Sequence, residues 1–106
     1  MLFKELAHKH GLMIDPESGG PCYTPVDALQ IMSISDIPHG EYWARSISHV
    51  ASEGARLSVR QSACVAHTNG KRFVEAEGPT SIGPQWERSP KDLKGILDRI
   101  FCSGVN

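Results

Sequence analysis

The chain has 106 residues, of which 40% are hydrophobic and 22% charged, and its formal net charge is −1. These values are typical of one small globular domain. A near-neutral charge and the lack of a basic run with interleaved aromatics indicate no nucleic-acid partner, and no apolar stretch approaches the roughly 18 residues that would indicate a membrane-spanning helix.

The first half of the chain predicts short helices that alternate with short strands. Apolar side chains follow helical spacing over residues 2–7, and Gly11 stands where a helix C-terminal cap belongs. A strand is predicted at residues 12–15, directly before a glycine-rich loop. The remaining predictions of this half, in chain order, are a helix at 25–32, a brief strand at 33–37, a turn at 38–40 and an ambiguous segment at 41–50, for which a helix is one interpretation.

The second half gives stronger helical patterns. A helix is predicted over residues 56–69, where Asn69-Gly70 ends it, and a strand over 72–76 follows. A long loop is predicted at residues 78–88. Ser89-Pro90 and an acid at the third helical position then form a capping sequence. The helix that follows carries apolar residues at amphipathic spacing as far as Phe101.

Strands that alternate with helices predict an α/β fold with parallel strand pairing. A complete (β/α)8 barrel needs roughly 250 residues. We therefore expect a partial (β/α)8 TIM barrel, an incomplete parallel sheet with flanking helices, in which residues 1–106 are a fragment of a larger catalytic domain. Open sheet edges also predict contact with the rest of a parent barrel or self-association.

Two glutamates, Glu17 and Glu77, each follow a short apolar run and each precede a glycine-bearing loop. A parallel barrel presents its acid and base groups in this way, at the carboxyl ends of its strands. A pair of carboxylates is also what the hydrolysis of a glycosidic bond requires. The alternative is that these acids cap the next helix or pair with arginine. Asp15 and Glu75 would lie one layer deeper on the same faces, where a cluster of acids raises the pKa of some of its members.

Aromatic side chains and one histidine complete the set of candidates. Trp43 and Trp86 are candidate platforms for a sugar ring, and Trp86 lies in the long loop after Glu77. Core packing is an equally good interpretation of Trp43. His39 is the best functional candidate among the five histidines because it falls in a predicted turn.

Several of these segments carry a family resemblance. Ala66-His67-Thr68, Ala76-Glu77-Gly78 and Gly104-Val105-Asn106 are joined in the first half by Pro16-Glu17 and Gly40-Glu41-Tyr42-Trp43. Together they resemble the α-L-rhamnosidase-like glycoside hydrolases of family 106, large multidomain proteins with a central (β/α)8 barrel. The resemblance covers nearly the whole chain.

The resemblance implies hydrolysis of a terminal sugar, typically α-L-rhamnose, with inversion. By motif it implies that Glu17 and Glu77 are the general acid and general base, in either order, and that Glu41 binds substrate or metal. Trp43, His39 and Trp86 stay substrate-binding candidates on the residue-level grounds given above. In some members of the family a calcium ion helps to hold the sugar, and no other cofactor is implied.

Three hypotheses stay open at this point. The chain is a barrel segment that is active only within a full-length parent, a carbohydrate-binding module without turnover, or a truncated product without function. Each of them expects the isolated chain to be inactive as an enzyme. The chain itself indicates no compartment, and for the parent the resemblance implies a periplasmic or extracellular one.

Overall fold

The computed structural model describes residues 2–16, 25–44, 53–84 and 86–106. These residues form four helices and two strands, which follow one another as α1 (Leu2–Lys9), α2 (Ala28–Ile34), β1 (His39–Trp43), α3 (Glu53–Thr68), β2 (Glu75–Thr80) and α4 (Pro90–Cys102). The two strands pair in parallel. This is an α/β arrangement with a small two-stranded sheet, as the alternation of patterns predicted. None of the helices described is long and apolar enough to cross a membrane.

The two short strands pair in a parallel register, and the residues of β1 alternate between half-buried and buried along the strand. His39 pairs with Glu75 and Glu41 with Glu77, and an irregularity follows before Trp43 meets Thr80. In β1 every second residue is buried, Gly40 and Tyr42 on one face, while His39, Glu41 and Trp43 are half-buried on the other. The sheet therefore has one face toward the helices and one polar face.

Close contact between α3 and β1 depends on small residues. A Cβ placed on Gly40 would lie 2.8 Å from Oγ of Ser62 and 3.0 Å from the backbone of Ser58. Ser58 and Ser62 are themselves fully buried, and the Ser58 hydroxyl accepts a hydrogen bond from the Glu41 backbone N–H at 3.1 Å. The backbones of α3 and β1 can therefore approach each other closely, because neither element has a large side chain where they cross.

The core lies between α3, the sheet and α4. Tyr42, Val59 and Ile100 form one buried cluster, and Ile96 and Leu97 of α4 pack against it. The apolar residues of α4 therefore face the core, as their amphipathic spacing predicted. Asp92 accepts hydrogen bonds from both the backbone N–H (2.8 Å) and the hydroxyl (2.6 Å) of Ser89, as expected of the capping sequence.

The predicted strand at residues 12–15 is not a strand in the structure. This segment is extended and is held by Asp36 instead of by a sheet neighbour: the Ile14 carbonyl accepts from the Asp36 N–H (2.9 Å) and the Ile37 N–H (3.2 Å), while the Ile14 N–H donates to Asp36 Oδ2 (2.7 Å). Gly11, at a φ of 71°, ends α1 as predicted.

The other strand predictions were wrong in position. The brief strand predicted at 33–37 is the end of α2 and a bend, and the turn predicted around His39 is the start of β1. A helix beginning at Glu41 is also wrong, because residues 41–43 belong to β1; residues 45–50 lie outside those described. The strand predicted at 72–76 starts later and continues through Gly78 to Thr80, which shortens the predicted loop.

Helix α2 is fixed at both ends by polar side chains. Asp27 is its N-cap and accepts from the Gln30 N–H at 3.0 Å, so the helix begins three residues later than Pro25. At the other end, the Lys71 ammonium donates to the carbonyls of Met32 (3.2 Å), Ser33 (2.6 Å) and Ser35. Burial lowers the pKa of Lys71. A cation at a helix C-terminus complements the orphan carbonyls there.

Candidate functional site

The polar face of the sheet carries most of the candidate residues. His39, Glu41 and Trp43 alternate along β1, and Glu75 and Glu77 stand beside the first two of them on β2. Since side chains at even spacing share a face and registered residues of neighbouring strands are adjacent, the register brings these groups together.

Glu77 lies in the middle of β2, three residues before its end, and not at a strand terminus as predicted. Its side chain is exposed. The backbone N–H of Glu77 donates to Nε2 of His39 at 3.1 Å, and one carboxylate oxygen accepts from the Thr80 hydroxyl at 3.4 Å. Glu17, its predicted catalytic partner, lies outside the described residues.

Glu41 is the cross-strand neighbour of Glu77. Its carboxylate accepts a hydrogen bond from the indole Nε1 of Trp43 at 3.2 Å. Trp43 is half-buried and lies on the polar face, away from the core cluster. Two of the candidate residues, Glu41 and Trp43, are therefore in direct contact.

A second group of polar side chains lies at the start of the sheet. One carboxylate or imidazole atom from each of Asp15, His39 and Glu75 falls within 4.8 Å of the other two. Nδ1 of His39 and Oδ1 of Asp15 are 2.9 Å apart. A hydrogen bond with Asp15 raises the pKa of Glu75, and so do the Asp15 charge and burial. This is the direction expected for one member of an acid cluster.

Asp15 reaches this cluster through contacts that the sequence did not reveal. Asp36 accepts from Lys4 Nζ (2.9 Å), His8 Nε2 (2.8 Å) and the Ile14 N–H (2.7 Å). These bonds attach α1 and the segment that follows it to Asp36, just after the end of α2. The bond from Ile14 holds the residue directly before Asp15. No spacing in the sequence predicts that residues 15, 36 and 39 lie close together. The sequence indicated only that Asp36 and His39 are polar residues in one short segment.

The calcium ion implied for some family members does not match the described cluster. Calcium takes six to eight oxygen ligands, whereas Asp15 and Glu75 offer two carboxylates and His39 offers a nitrogen that is already bonded to Asp15. These three residues alone therefore do not fit a calcium ion.

Trp86 stands apart from the acids. Its side chain is 97% exposed, and its backbone has a φ of 65°. It borders an open pocket of about 270 Å³ with Pro79, Ser81, Arg88 and others, and none of the described acids of the sheet lines this pocket. A second, largely apolar pocket of about 420 Å³ reaches Glu75 from the side of Phe73 and Phe101.

Comparisons with known proteins agree on one relationship. The profile of the family Glyco_hydro_106, alpha-L-rhamnosidase, matches residues 2–106. A putative beta-glucuronidase of Formosa agariphila is 34% identical over 103 residues, which is 97% of this chain and 8% of the relative. A solved structure of a rhamnosidase from Novosphingobium sp. PP1Y superposes with a TM-score of 0.84 at 28% identity, over 97% of this chain and 10% of that one.

The chain thus spans about a tenth or less of the proteins that it matches. Within that span the likeness extends over nearly every residue and includes the sheet that carries Glu41 and Glu77. The chain belongs to the alpha-L-rhamnosidase family, glycoside hydrolase family 106, and corresponds to a segment of a glycoside hydrolase.

Proposed function

We propose that this segment forms part of the catalytic (β/α)8 barrel of a glycosidase that releases terminal sugars, α-L-rhamnosides in particular, with inversion. The observation that carries the proposal is the polar face of the sheet, where the Glu77 carboxylate is exposed beside Glu41. The family membership supports the reaction class. Because one relative is a rhamnosidase and the other a putative beta-glucuronidase, rhamnosides and glucuronides are the two substrate classes to test.

In this proposal Glu77 and Glu17 divide the acid and base roles. The general acid protonates the departing glycosidic oxygen, and the general base removes a proton from the water that attacks the opposite face of the sugar. Inverting enzymes separate the two carboxyls by about 6.5–9.5 Å to hold that water. Registered residues on neighbouring strands have backbones only about 4.8 Å apart, which favours Glu17 over Glu41 as the partner of Glu77.

Glu41 and Trp43 then act on the substrate together. The indole N–H that Trp43 donates to Glu41 fixes the orientation of that carboxylate, which is suited to accept hydrogen bonds from sugar hydroxyls. Trp86 completes the proposed substrate-binding set as an exposed stacking platform, whereas His39, predicted with it from the sequence, lies beside Glu77 with Nε2 3.1 Å from the Glu77 backbone nitrogen. The remaining partners are the carbohydrate itself and either the rest of the parent barrel or further copies of the chain.

The test is hydrolysis of an aryl α-L-rhamnoside by the full-length protein that carries this segment, with the aryl β-glucuronide as the competing substrate. We expect Glu77→Gln to lower kcat by about 10²–10⁴-fold, because a positioned proton-transfer group contributes about that much. The control is Glu5→Gln, an exposed acid on α1 and outside the sheet. Proton NMR of the first product reports the anomer, and a retained configuration would contradict inversion.

A carbohydrate-binding module without turnover is the second candidate, and the exposure of Trp86 favours it. Under this alternative, rhamnose binding measured by calorimetry would be lost in Trp86→Ala and unchanged in Glu77→Gln, while no variant or wild-type protein would release the aryl alcohol.

A further inference from the structure

His39 is held from both sides of its imidazole ring. Nδ1 is 2.9 Å from Oδ1 of Asp15, and Nε2 is 3.1 Å from the backbone nitrogen of Glu77. The side chain is only 14% exposed. A ring in which both nitrogens are engaged within the protein is constrained in rotation and in position.

The two contacts fix where the proton of the ring lies. A backbone N–H can only donate, so Nε2 must be the acceptor from Glu77. The neutral ring then carries its hydrogen on Nδ1 and donates it to Asp15. Asp15 also lies beside Glu75, with one carboxylate oxygen of each within 4.8 Å of the other, so the carboxylate behind the ring lies against β2.

These contacts form one connected path that joins the segment after α1 to both strands. Asp15 contacts His39 on β1, His39 accepts from the backbone N–H of Glu77 on β2, and Glu75 of β2 lies beside Asp15. The path crosses the strand pair by side chains, immediately before the irregularity that separates Glu41 from Trp43 in the register. The register is thus reinforced at the residue proposed to perform catalysis.

We propose that His39 is a positioning residue that acts through Glu77, with Asp15 selecting its tautomer, and not primarily a sugar-binding residue. This inference rests on the proposed catalytic role of Glu77. Its physical basis is that the Nε2 contact locates the backbone from which the Glu77 carboxylate projects. A displacement of about 1 Å at such a site can cost on the order of 10²-fold in rate.

Two substitutions separate the two nitrogens. His39→Gln can put an oxygen near the place of Nε2 and so keep an acceptor for the Glu77 N–H. His39→Asn can keep a donor near the place of Nδ1 for Asp15, but it is too short to reach Glu77. If His39 positions Glu77, the acceptor is the atom that matters, and the glutamine variant should be the active one.

The experiment measures kcat and KM for an aryl α-L-rhamnoside with the full-length protein, in the wild type, His39→Gln, His39→Asn and Glu77→Gln. We expect His39→Gln to retain most of the wild-type kcat and His39→Asn to lose about 10–10²-fold with little change in KM. Equal activity of the two His39 variants, or a raised KM with unchanged kcat, would overturn the inference; the second result would identify a sugar contact.

The Glu77→Gln variant distinguishes the two levels of failure. If it is as active as the wild type, the proposed function of Glu77 fails and the positioning role fails with it. If it is inactive while His39→Asn is fully active, only the positioning role fails.

A measurement that needs no activity covers the case in which a variant does not fold. Nitrogen-15 NMR of the wild-type chain should give His39 a protonated Nδ1 and an unprotonated Nε2. The opposite tautomer would contradict the inference, because Nε2 could then not accept from Glu77.

Discussion

Asp36 connects three parts of the chain through one carboxylate. Lys4 and His8 of α1 donate to it, and the Ile14 N–H donates from the extended segment that follows. Burial of the carboxylate raises its pKa, but the hydrogen bonds from Lys4, Ile14 and His8 outweigh burial and hold the pKa well below its usual range. The ionised form is therefore the one that stabilises the folded chain.

Asp36→Asn should lower the free energy of unfolding by about 2 kcal/mol at pH 7, since hydrogen bonds to a charged group contribute about 1.5–3 kcal/mol. The folded-state pKa is depressed, so this stabilisation is fully present above the unfolded-state pKa near 4 and is lost as the pH falls below it. Urea unfolding between pH 7 and pH 3 should show a smaller acid-induced loss in the variant than in the wild type.

Asp98→Asn is the matched control, because Asp98 is an exposed acid whose side chain pairs with Lys94 on the surface of α4. Its removal should change stability little. An acid-induced loss that is the same in Asp36→Asn as in the wild type would contradict the role of the Asp36 charge.

At the scale of elements, the sequence predicted the helices better than the strands. Helix α4 carries its own start signal at Ser89-Pro90 and its own apolar stripe, so local information suffices. Strand β1 contains His39 and Gly40 directly after Pro38, a combination that favours a turn. Here Gly40 is required by the close approach of α3, a tertiary contact that no local pattern reveals.

A tertiary contact of a glycine also explains why β2 ends later than the sequence predicts. Gly78 has a φ of 154°, and a Cβ there would lie 2.6 Å from the Tyr42 ring. The sequence predicts a loop that starts at this glycine, whereas in the structure the glycine allows the strand to continue beneath the aromatic ring. Glycines that fit against a neighbour and glycines that end an element look alike in a single sequence.

Gly40→Ala should lower the free energy of unfolding by about 2 kcal/mol, since an added methyl would overlap Ser62 and the Ser58 backbone in a packed interior. Gly95→Ala is the control on α4, where nothing lies within 4 Å of the added carbon. This second change should raise stability by about 1 kcal/mol through helix propensity. Urea unfolding of both variants measures the contrast, and equal effects would contradict the packing argument.

At the scale of the molecule, the helices α3 and α4 cover one face of the sheet and leave the polar face with its acids accessible. From strand alternation the sequence predicted that Glu75 and Glu77 share one face of their strand. It did not predict that Asp15 meets His39, because that contact depends on how Asp36 anchors the segment after α1. Long-range polar contacts of this kind carry no periodic signal.

The isolated 106-residue chain should release no aryl alcohol from an α-L-rhamnoside, whereas the full-length protein should. The reason is that the two strands among the described residues supply only part of the carboxylates and sugar contacts that the mouth of the proposed barrel would assemble. A continuous spectrophotometric assay at equal molar concentration makes the comparison. Turnover by the short chain that disappears in its own Glu77→Gln variant would contradict this expectation and would indicate a site completed by association.

The contact of Lys71 with the carbonyls at the end of α2 has a consequence for chemical labelling. An ammonium group whose three N–H bonds donate to backbone oxygens has no lone pair to offer an electrophile. Amine-reactive reagents should therefore modify the exposed Lys9 and Lys91 first and reach Lys71 only when α2 separates from the residues before β2. The acylation rate of this one lysine would report how often that junction opens.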